Sequence, residues 1–154
     1  MAAAQAELAD FRRGVRAWIA EHAPADPGFL LPQSFLEVGN DEQLDFLREW
    51  QYQVWNAGYL GMAWPTEYGG QGVDAVYQLI ADEEMTRARV PIMFNVIGLG
   101  WAGPLIKDTG TNDEKARYLK NILTGEDIWC QGFSEPEHGS DLGSVQTRAV
   151  RDGD

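Results

Sequence analysis

One stretch limits the architecture more than any other: PIMFNVIGLGWAGPLIK, residues 91 to 107. It is apolar on nearly every side of a helix, and a helix of that kind is buried. Pro104 either kinks it or ends it early. Gly98, Gly100 and Gly103 each cost about 1 kcal/mol relative to Ala in a helix, so something must need the missing bulk. The chain has 154 residues, enough for one domain with a sizeable core.

Apolar residues at 3–4 spacing predict the helices around it. Leu8, Phe11, Val15, Trp18 and Ile19 share one face of a helix over 4–22, ended by Pro24 and Pro27. His22 sits in its last turn, where a cation suits the helix dipole. A loop with apolar anchors follows. Leu44, Leu47, Trp50, Val54 and Trp55 mark a helix over 41–57, with Asp41 and Glu42 favourably at its start. The run GMAWPTEYGGQG, 61–72, is an ordered loop, with Glu67 a candidate acceptor holding it. Helices are expected again over 73–89 and 112–123, the second opened by a Thr111–Glu114 capping box.

The hydrophobic fraction of 44% with six Trp marks a globular chain. A formal charge of -12 argues against nucleic acid and anionic membranes as partners. One cysteine excludes an internal disulfide and a multi-cysteine metal site, and no metal ligand set is expected. No apolar run approaches the ~20 residues needed to span a bilayer. No secretory leader is expected from the first residues, and a cytoplasmic location is the expectation.

From 126 onward the pattern turns to strands. Val145, Thr147 and Ala149 would share one strand face, Gln146 and Arg148 the other. Asp152-Gly153 is a hairpin-turn signal with no strand after it, so the chain is expected to be the front part of a longer protein. Within this region WCQGFSEPEHGSDLGS, 129–144, opens like a buried strand and breaks into a dense polar patch. A plain turn needs far fewer such residues. The patch lies where helices hand over to strands, and clefts between domains are common ligand sites.

Three pieces carry a family resemblance: WPTEYGGQG, GTNDEKARYLKNILTGE and GFSEPEHGSD. In that order they resemble the Pro-x-Glu-x-Gly-Gly-x-Gly loop, the fifth-helix segment and the flavin signature of the acyl-CoA dehydrogenases. The resemblance implies a mainly α fold. An N-terminal helical domain would span 1–124, and the first strands of a middle β domain would span 125–154. It implies FAD as cofactor, α,β-dehydrogenation of an acyl-CoA, electron-transfer flavoprotein as acceptor, and a homo- or hetero-oligomer. The flavin would meet Gln131, Gly132 and Phe133 through backbone, the Ser134 hydroxyl near N5 and O4, and the Gly139-Ser140 turn at phosphate.

Ser140 would also touch the CoA, and the acyl tail would run against Asn95 to Leu99. The glycines of 91–107 would then make room for the tail, or else for close helix packing. The family's catalytic glutamate lies in its C-terminal part, so no catalytic residue is assigned here and the chain alone is expected to be inactive. Two departures stand out: His138 where a small residue is frequent, and Ser134 in place of Thr. Glu135-Pro136 reads equally as strand-breaking chemistry, Asp141 as a turn acceptor, Cys130 and Trp129 as core. The alternatives are a non-catalytic subunit of a heteromeric member, or a helical lipid- or partner-binding module.

Overall fold

The computed structural model describes residues 2–153, so the expected domain limits at Met1 and Asp154 lie outside the described residues. The elements are α1 (Ala2–His22), α2 (Asp41–Asn56), α3 (Ala75–Ala88), a π-turn (Gly98–Ala102) running into α4 (Gly103–Thr109), and α5 (Asn112–Thr124). The expected N-terminal helical domain is present. α1 packs on α3, while α5 packs on α2 and α4.

Local chemistry sets the starts. Asn40 caps α2 by accepting from Gln43 N at 2.9 Å, and Asp74 caps α3 by accepting from Val76 N at 2.9 Å. The capping box of α5 is complete, with Thr111 and Glu114 each bonding the other's backbone N–H. Those bonds hold the Glu114 carboxyl below its ordinary range, the Thr111 backbone first.

The core is one cluster that includes Val15, Trp50, Val54, Leu119, Ile122 and Leu123. Full burial of each such aliphatic side chain contributes roughly 1.5–3 kcal/mol. Trp18 stacks on Trp50 at 5.7 Å between ring centres and ties α1 to α2. The His22 ring stacks on Trp18 and meets its carbonyl at 2.9 Å, a surface helix end as expected. Glu84 of α3 is buried, but α1 supplies Arg16 at 2.5 Å and Arg12 at 2.6 Å. The Arg16 bond is the main cause that lowers its carboxyl to about 2.

The loop 61–72 is closed by backbone bonds, Gln71 N to Gly61 O at 3.2 Å and Gly72 N to Trp64 O at 2.9 Å. Glu67 is exposed, and its carboxylate is the acceptor beside the Tyr68 hydroxyl, which it pushes up from its ordinary value.

Two expectations are corrected. The apolar helix begins at 96, five residues late, because Trp50 Nε1 takes the Pro91 carbonyl at 2.9 Å and Gln51 Oε1 takes the Asn95 N–H at 3.4 Å. Pro104 does not end it, for the helix runs on to Thr109. The proline sits at the start of α4, after a π-turn in which Gly103 N–H reaches Gly98 O. Such a turn widens the helix ahead of a residue that cannot donate and would crowd the preceding carbonyl. The other correction concerns the strands after 125. Among the described residues there is no strand; 128–134 carries neither helix nor turn, and its backbone bonds to no other backbone. A helix satisfies its own backbone, whereas a strand needs a neighbour.

Candidate functional site

The helical body leaves an apolar groove of about 480 Å³ where the start of the 96–109 stretch faces the run 128–131. Phe94 and Ile97 form one wall, Trp129 and Gln131 another, and Phe35 and Leu36 the rim. Trp129 is held edge-on to Tyr118 of α5 at 5.4 Å. Cys130, expected in the core, is exposed and borders the groove, because no second layer covers this run.

Beyond the groove the polar patch takes shape. Among the described residues, the backbone N–H groups of Gln131, Gly132, Phe133 and Ser134 donate to no backbone acceptor, and neither do those of Gly139 and Ser140. All six residues are exposed. Residues 135–138 form a closed turn, with Glu135 N donating to His138 O at 2.7 Å and His138 N donating to Glu135 O at 3.2 Å. The turn folds Gly139 back, so that a Cβ there would stand 3.5 Å from Ser134 Oγ. The two halves of the patch therefore meet. Gly139 does this without a positive φ.

The Glu135 carboxylate accepts from Gln146 N at 3.0 Å and from the Thr147 backbone and hydroxyl. The Thr147 hydroxyl is the main cause that holds this carboxyl below its ordinary range. Glu135 is thus a clasp between the turn and the segment after it, a role the strand-breaking alternative does not contain. Asp141 is the turn acceptor expected: its Oδ2 receives Ser144 Oγ at 2.5 Å. His138 is half-buried in the closed turn.

Residues 95–99 divide between faces. Asn95 is 1% exposed and does not border the groove. Leu99 lines a second groove with Trp64, Met93 and Gly100. The glycines divide too. A Cβ on Gly103 would overlap the Trp64 ring, and one on Gly98 would stand 2.6 Å from Asn95 Oδ1, so both serve close packing. A Cβ on Gly100 would meet only open space.

Ile97 lies within the expected 95–99 wall and borders the groove, whereas Phe94 and the clasp role of Glu135 have no assignment in the sequence. The apolar pair three apart astride Asn95 was the available signal for Phe94. Nothing local signals the reach of Glu135 across eleven residues.

The acyl-CoA dehydrogenase N-terminal domain model matches residues 5–126. The chain belongs to the acyl-CoA dehydrogenase family. It is 35% identical to acyl-CoA dehydrogenase IpdE1 of Mycolicibacterium smegmatis over 149 residues, 96% of this chain and 38% of that protein. Among solved structures it resembles the Tcur3481-Tcur3483 steroid ACAD, with a TM-score of 0.73 and 36% identity over 97% of this chain and 37% of that one. The ChsE4-ChsE5 complex from Mycobacterium tuberculosis gives a TM-score of 0.69 and 32% identity over 96% of this chain and 35% of that one. The chain thus spans well under half the length of these relatives. Among the described residues, no helix is long and apolar enough to cross a membrane.

Proposed function

We propose that this chain forms the flavin- and acyl-facing N-terminal part of an FAD-dependent enzyme that dehydrogenates an acyl-CoA between its α and β carbons. The single supporting observation is the junction at residue 131: a row of open backbone donors begins where the apolar groove ends. Bound there, FAD would supply the acceptor for the hydride leaving the β carbon. The residues present suit it. Open N–H groups at Gln131, Gly132 and Phe133, with the Ser134 hydroxyl, match the acceptors on a flavin edge. Donors at that edge favour the more negative, reduced flavin.

Gly139 and Ser140 offer further N–H groups for phosphate, of the flavin or of the CoA. The acyl group would lie along Phe94 and Ile97, the groove-facing neighbours of Asn95. Leu99 would bound the second groove. Residues 125–154 are read as the opening of the middle domain, with the proton-abstracting carboxylate outside the residues assigned here. Electron-transfer flavoprotein is the proposed acceptor.

A second reading is favoured by the paired names of two structural relatives: this chain could serve as one subunit of a two-chain enzyme. The test is spectroscopic. The protein carrying this chain is purified and titrated anaerobically with acyl-CoAs, a steroid-derived one first because one relative is titled a steroid ACAD. Loss of the flavin absorbance near 450 nm on addition is the expected result, as about one flavin per site is reduced. A colourless protein that stays colourless with any second chain contradicts the proposal. Colour gained only with a second chain selects the two-chain reading.

A further inference from the structure

The apolar stretch that opens the chain's central helix contains one fully buried amide, Asn95. Its Nδ2 donates to Ile122 O at 3.0 Å and to Asp127 O at 2.9 Å. Its Oδ1 accepts from Trp129 N at 3.1 Å. Two carbonyls need donors and one N–H needs an acceptor, so the partners dictate which way the amide points. Gln51 closes the arrangement from α2: its Nε2 reaches Ile122 O and Leu123 O, both at 3.0 Å, and its Oε1 accepts from Asn95 N.

The pair of bonds to Asp127 O and Trp129 N has a recognisable form. They lie on either side of Ile128, the pattern that a residue of a parallel neighbouring strand would make. One side-chain amide stands in for a strand neighbour where the structure provides none. In an extended chain, N–H groups two residues apart share an edge. The run 128–134 holds neither helix nor turn, and drawn out as a strand it would put the Trp129 N–H that Asn95 holds on the same edge as those of Gln131 and Phe133. A slip by one residue would present the opposite edge.

We infer that Asn95 is a positioning residue: it sets the register at which 127–131 leaves the helical body, and so which pair of open donors, Gln131 with Phe133 or Gly132 with Ser134, lies on the side of the Trp129 N–H. What is positioned, the flavin-facing edge, rests on the reading under Proposed function; the clasp itself does not. Gly98 is part of the device. A side chain there would press on Asn95 Oδ1 at 2.6 Å and Nδ2 at 2.7 Å.

The experiment compares wild type with Asn95→Leu, which keeps the branched shape and removes all three bonds, and with Gly98→Ala, which only crowds the amide. Val15→Ala, at a fully buried site of α1, a helix that supplies no bond to the clasp, serves as a core control. The first readout is amide hydrogen exchange at Trp129 by NMR. Asn95→Leu is expected to speed it by about tenfold or more relative to the core amides of α2 and α5, the loss of one buried hydrogen bond. Gly98→Ala should act in the same direction and less strongly, and decides the matter if Asn95→Leu does not fold.

The second readout is the flavin midpoint potential at full occupancy, expected to move in the Asn95 and Gly98 variants and not in Val15→Ala. Unchanged exchange at Trp129, or exchange raised alike throughout the core, would overturn the inference and leave Asn95 a buried stabiliser. Selective exchange at Trp129 with an unmoved potential would overturn its link to the flavin edge. A wild-type protein without flavin would overturn the functional reading instead, and the exchange readout alone would still decide the clasp.

Discussion

Residues 2–124 and 125–153 follow opposite rules. The first region is packed on itself: its caps, its core and the buried Glu84 cluster find partners within it, while Asn95 and Asn121 reach across to residues 127 and 129. The second leaves Phe133, Leu142 and Val150 about three-quarters exposed and its backbone largely unpaired. Yet the second region holds the densest polar motif in the chain. A helical body can be stable from its own contacts, whereas a ligand-facing edge is useful because its donors remain unspent.

Cutting into each region should show the largest contrast. Leu119→Ala, at a fully buried site of α5, should cost about 2–5 kcal/mol by denaturant unfolding. Phe133→Ala should change stability by less than about 0.5 kcal/mol. Comparable losses would mean the second region is part of the same cooperative unit.

Next comes Gly103→Ala, expected to destabilise by about 1–3 kcal/mol because the new methyl meets the Trp64 ring. An unchanged melting temperature would show that Trp64 can move aside.

Acid sharpens the comparison further. The Glu84 carboxyl is depressed from 4.5 to about 2 in the folded state. Its contribution is therefore fully present above about pH 4.5 and is lost as pH falls towards about 2. Glu84→Gln should flatten the stability profile across that window, and a profile that keeps its slope would remove Glu84 from the account.

The smallest effect has the opposite sign. Gly100→Ala adds a methyl into open space, and should stabilise by up to about 1 kcal/mol. A loss of stability would show that the groove wall needs this glycine for backbone reasons.

The helices were legible because their signal is local: 3.6-residue periodicity and caps within four residues. The Thr111 box was readable to the residue. The late start of the central helix was not, because Trp50 and Gln51 hold residues 91 and 95 from over 40 positions away. The same distance effect hid Asn95. Its partners lie 27 to 34 residues on, and a lone Asn among apolar residues looks like a ligand contact or a clasp alike. The polar patch was legible as a motif, and the fold of its closed turn was not: the Glu135 clasp joins a signature residue to an unremarkable Thr147. The strands read from alternation were the least secure element, since alternation names a face and not a partner.

The central claim is that the open edge at residues 131–134 meets a flavin, and Ser134 carries its most specific part. A spectroscopic redox titration of wild type and Ser134→Ala, both with flavin content confirmed, tests it directly. A lost hydrogen bond to a charged group is worth roughly 1.5–3 kcal/mol, and each 1.4 kcal/mol corresponds to about 30 mV for a two-electron couple. The account predicts a midpoint potential lower by about 30–60 mV in the variant, with slower reduction by acyl-CoA. An unmoved potential at full flavin occupancy would contradict it, leaving Ser134 an ordinary residue of an extended segment.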